Sequence, residues 1–110
     1  MSRIDRLMAS PSPWPTDAGL ETAMIFLEGL DLPHFASFRL LETETGRAAL
    51  IRYFDHFLAL ARERGTGLVL DTATWRANMG WAAALGLDEL AIREANRLAV
   101  ACDHAIRERH

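Results

Sequence analysis

The sequence predicts an α/β fold: the N-terminal βα units of a (β/α)8 (TIM) barrel, incomplete and helix-rich, with two short parallel strands. Three observations predict it. Leu68-Val69-Leu70 is apolar throughout, as in a strand covered on both faces. It ends abruptly in Asp71-Thr72-Ala73-Thr74-Trp75-Arg76, and in α/β proteins the working residues gather where strands reach their carboxyl ends. Upstream, Thr16-Asp17-Ala18-Gly19-Leu20-Glu21-Thr22 forms a second polar stretch that opens a helical pattern. A strand, a crossover and a second strand imply parallel pairing with a right-handed connection.

In chain order, residues 1–14 read as an extended lead-in, because Pro11, Pro13 and Pro15 around Trp14 remove backbone donors and fix an extended path. The barrel portion then occupies 15–110. Pro15-Thr16-Asp17 supplies a very short first strand that turns at Ala18-Gly19. Leu20 to Glu28 reads as a short helix, with Leu20, Met24 and Leu27 on one face and Gly29 as its stop. Gly29 to Leu41 has no clear period and reads as an ordered loop packed by Phe35 and Phe38. Thr45 to Arg64 is the strongest helix, its stripe formed by Leu50, Phe54, Phe57, Leu58 and Ala61, with Gly65 after it. Past the second strand and a Thr72–Gly80 loop, Trp81 to Leu85 is a helical turn broken by Gly86. Asp88 then caps a last helix over Glu89 to Arg109, whose apolar face is Ile92, Ala95, Ala99, Cys102 and Ile106.

The chain has 110 residues, 50% of them hydrophobic and 25% charged, which is ordinary for one small globular domain. A net charge of -3 gives no electrostatic reason to bind nucleic acid or an anionic membrane. The single cysteine, Cys102, allows no internal disulfide and suits a reducing setting. No signal-peptide pattern and no apolar run of spanning length is visible, which favours a cytoplasmic protein. Two parallel strands alone leave unpaired edges, so the expectation is that either neighbouring chains complete the sheet, by self-association through those edges, or the remainder of a longer protein does.

Three motifs resemble the homocysteine S-methyltransferase family: Asp17-Ala18-Gly19-Leu20-Glu21-Thr22, the segment Leu68 to Asn78, and Asn96 in the last helix. The resemblance runs over about 15–105 and corresponds to the opening part of a family member. It implies a barrel that transfers a methyl group from a donor to the thiol of a homocysteine-type amino acid, with a zinc ion held by three cysteines activating the thiol. A thiolate is the nucleophile, and zinc deprotonates a thiol near neutral pH. The family's zinc-binding Asn-Cys and Gly-Gly-Cys-Cys segments are absent here, so this chain is expected to hold no cofactor and to be inactive alone. A full barrel takes about 250 residues.

By the same resemblance Asp17 receives the substrate ammonium, Gly19 and its neighbour Ala18 bring backbone amides to the carboxylate, and Thr72 hydrogen-bonds the amino-acid end. Thr74, Trp75 and Arg76 match wall positions. Ala18, where the family more often has glycine, and Asp71, where some members carry an amide, depart from the pattern. Cys102-Asp103-His104 is not a metal motif, because residues two apart on a helix face away from each other. A competing reading is a free-standing helical interaction or dimerisation module without catalysis, built on the two long amphipathic helices.

Overall fold

A computed structural model describes all 110 residues. It corrects the predicted fold class: 65% of the chain is helical, 2% is strand, and no sheet forms. Five α-helices order the chain: α1 (Arg3–Ala9), α2 (Leu20–Thr22), α3 (Glu44–Arg64), α4 (Met79–Leu85) and α5 (Glu89–Glu108). A π-helical turn, Ala23–Leu27, continues α2, and 3-10 turns occupy Pro33–Phe35 and Ser37–Glu42.

The two segments expected to be strands do run side by side, but they meet at a single parallel bridge between Thr16 and Val69, where the Val69 N–H donates to the Pro15 carbonyl at 3.0 Å. The reason lies in their length and company. Each segment offers about three residues, and no third strand flanks them, so nothing extends the bridge into a ladder. Leu68, Val69 and Leu70 are accordingly half-buried rather than enclosed. The opening of a (β/α)8 barrel is therefore not what these residues build.

The lead-in is corrected as well. Residues 3–9 are helical because Ser2 and Asp5 form a reciprocal cap: the Asp5 N–H donates to Ser2 Oγ at 3.1 Å, and the Ser2 N–H donates to Asp5 at 3.0 Å. The prolines lie beyond this helix. α1 buries no residue, and Ile4 and Met8 remain exposed.

The core forms where α3 and α5 close on the Ser37–Glu42 turn. Phe38, Leu50, Phe54, Met24 and Ile106 are its most enclosed large side chains. Thr43 Oγ1 caps α3 by accepting the Gly46 N–H at 3.0 Å, and Gly65 ends the helix in the left-handed conformation. Asp88 caps α5 by accepting the Ala91 N–H at 2.8 Å. Ile92, Ala95, Ala99 and Ile106 are buried along α5 with Cys102 half-buried beside them, and Asp103 shares their face.

Candidate functional site

The turn after Thr16 and the segment after Leu70 lie on the same side of the Thr16–Val69 bridge, and a cavity of about 400 Å³ opens between them. Its wall includes Asp17, Ala18, Gly19, Thr72, Thr74 and Trp75, so six of the seven residues singled out from sequence line one recess. Glu21 and Asp71 add two further carboxyl groups. Gly19 has φ 75°, and a Cβ there would meet nothing within 4 Å. The left-handed backbone, not crowding, selects glycine at this turn.

Asp17 is held from below by α3. The Tyr53 hydroxyl donates to Asp17 Oδ2 at 2.7 Å, with the Ala18 carbonyl a second acceptor at 2.9 Å. Burial first, and then the hydrogen bond to Asp17, push the Tyr53 phenol above its ordinary range, so it stays a donor. Asp17 Oδ1 is buried and has no partner. A buried carboxylate oxygen left bare is costly unless a donor meets it. Across the recess the Thr72 and Thr74 hydroxyls are 2.9 Å apart.

Tyr53 was not visible as a site residue in the sequence, although it falls on the α3 stripe between Leu50 and Phe57. The signal available was chemical: a phenol among apolar residues has a hydroxyl that needs a partner. Tyr53→Phe removes that hydroxyl and leaves Asp17 with no hydrogen bond from below. The expected cost is about 1–2 kcal/mol in urea unfolding, with the far-UV spectrum unchanged.

Arg76 does not line this recess. It sits between two indoles, its guanidinium carbon 4.2 Å from the Trp75 ring and 4.0 Å from the Trp81 ring. His34 packs on Trp81 and Phe35 on Trp75, at 6.0 and 6.3 Å between ring centres. His34, Phe35 and Arg76 all have left-handed backbones, at φ 54°, 58° and 70°, so this aromatic cluster is held under local strain. Asn96 ties α5 to the same loop, its Nδ2 donating to the Ala77 carbonyl at 2.9 Å and to Ile92 at 2.9 Å.

No group of three or more His, Cys, Asp or Glu side chains stands together as a metal-ligand set. Cys102 is half-buried on α5, and burial followed by the charge of Asp103 pushes its thiol up, away from the thiolate a zinc ligand must be. The residues present do not fit the zinc site that the family resemblance implies. No helix is long and apolar enough to cross a membrane.

Compared with protein-family models, with curated proteins and with solved structures, the chain matches none.

Proposed function

We propose that the Asp17–Thr72 recess binds the amino-acid end of a small substrate of the homocysteine type, and that the chain by itself performs no methyl transfer. The observation that carries this reading is one recess that gathers the Asp17 carboxylate, fixed by the Tyr53 hydroxyl, with Thr72, Thr74 and the left-handed Gly19 turn. An ammonium placed there gains a charge-assisted hydrogen bond, while Thr72 and Thr74 offer hydroxyls to the rest of the ligand. Glu21 and Asp71 add negative charge and favour the ammonium over an anion. The turnover step is assigned to no residue, because neither a nucleophile–base pair nor a thiol-activating metal set faces the recess. A lone cysteine, with no internal disulfide to form, supports the reading of a reducing compartment such as the cytoplasm.

Titration calorimetry with L-homocysteine, against propionate as a ligand without the ammonium, tests this. The amino acid is expected to bind and propionate not to, and Asp17→Asn is expected to weaken binding by about tenfold or more. Equal binding of propionate, or an unaffected Asp17→Asn variant, overturns the reading. A methyl-transfer assay with added zinc is expected to give no product.

A second reading has its own support. Phe26 and Leu27, side by side at the π-helical turn, are 76% and 85% exposed, and Leu90 on α5 is 76% exposed. Bare apolar side chains of this size on helices favour self-association. Light scattering separates the two readings: a discrete dimer whose formation is lost in Phe26→Ser supports the helical module.

A further inference from the structure

A second and larger cavity, about 650 Å³, lies between α5 and the segment Thr66–Thr72 and shares Thr72 with the recess described above. Its walls are apolar where Leu58, Leu68, Leu70 and Val100 face it. Asp103 lines it, and Asp103 is only 8% exposed, with neither carboxylate oxygen meeting a hydrogen-bond donor. The nearby Thr66 Oγ1 is likewise buried without a partner.

An aspartate on the buried face of an amphipathic helix is expensive when nothing answers it. Apolar residues would fill that position at less cost. The basic residues at the mouth do not answer it. Arg3 and Arg107 reach Glu108, at 3.8 and 3.3 Å, and Arg62 touches His110. Arg6 and Arg62 have no carboxylate within ion-pair distance, although both line the cavity. The cavity thus combines a buried aspartate without a donor, two cations that no carboxylate neutralises, Arg6 and Arg62, and an apolar wall.

We propose that this cleft binds a small aliphatic zwitterion, with its ammonium on Asp103 and its anionic end on Arg62 and Arg6. The carboxylate turns to meet the ammonium, and the methylene chain lies along Leu68 and Leu70. A simple amine gains only the inner contact and meets positive charge at the mouth. A simple carboxylate gains the outer contact and puts its apolar end against a bare aspartate. A ligand with both ends satisfies both sets of groups.

The test uses 6-aminohexanoate, hexylamine and hexanoate in calorimetric titrations of the full chain at pH 8. The expected order is 6-aminohexanoate tightest, then hexylamine, then hexanoate. Asp103→Asn is expected to weaken 6-aminohexanoate by about tenfold or more, and Arg62→Gln by about threefold. Amide NMR shifts are expected to cluster in Thr66–Thr72 and α5. Hexanoate binding as tightly as 6-aminohexanoate overturns the proposal, as does an unaffected Asp103→Asn variant that retains its helical spectrum. Absence of any response at about 10 mM ligand also overturns it.

Discussion

Asp103→Asn is expected to stabilise the fold at pH 8 by about 2–4 kcal/mol. Burial is the main cause, and the charges of Asp17 and Asp71 add to it; together they push the Asp103 carboxyl from 3.8 up to about 7. The folded chain therefore holds a proton on this residue that the unfolded chain has already released. Well below pH 3.8 both states are protonated, and the ionisation of Asp103 costs nothing. Between pH 4 and 7 the unfolded state is progressively favoured by its ionisation, and above pH 7 the full penalty is present. The parent chain should lose stability as pH rises across that window, and the asparagine variant should not. Asparagine keeps the shape and removes the ionisation. Urea titrations at pH 4.5 and pH 8 measure the difference directly, and parallel pH profiles for the two proteins would refute the assignment.

Gly46→Ala is expected to destabilise the chain by about 2–3 kcal/mol. The direction is unusual, because alanine is the better helix former by about 1 kcal/mol. Gly46 lies in the first turn of α3, against the backbone of the Ser37–Glu42 turn. A Cβ there would overlap the Leu40 carbonyl oxygen and stand 2.8 Å from Leu40 Cα and 2.9 Å from its carbonyl carbon. Backbone cannot rotate aside as a long side chain can. Either α3 or the 3-10 turn must move, and both carry the core through Phe38, Leu50 and Phe54. A folded chain of this length holds about 5–15 kcal/mol in all, so the loss is a large share. Thermal unfolding followed by circular dichroism checks it. An unchanged or raised midpoint would mean that the two segments do not pack this closely.

The helices were the legible part of this chain. The stripe Leu50, Phe54, Phe57, Leu58, Ala61 repeats long enough to exclude a strand, and Gly65, Gly86 and Asp88 act in the structure as the stops and cap they were read to be. What failed was pairing. Leu68-Val69-Leu70 satisfies every local criterion for a buried strand, yet a strand requires neighbours, and neighbours are not written in three residues. Helix α1 was hidden for a different reason: its cap is Ser2 with Asp5, and the prolines that argued against a helix begin only at Pro11, after it ends. Asp17 and Thr72 are legible in the sequence, whereas Tyr53 reads only as part of a helical face, and Asp103 reads only as part of a Cys102-Asp103-His104 run whose spacing rules out a shared metal. Both sit at helical spacing from apolar neighbours, and periodicity reports the face a residue shares without reporting what its polar atoms find there.

Trp14 is pressed so close to Gly67 that a Cβ on that glycine would stand 2.6 Å from the indole, and it lines the larger cavity, while Trp75 lines the smaller one. Each hollow thus carries its own chromophore, and the third indole, Trp81, lines neither. Fluorescence from Trp14→Phe and Trp75→Phe chains can therefore separate filling of one hollow from filling of the other with no added label.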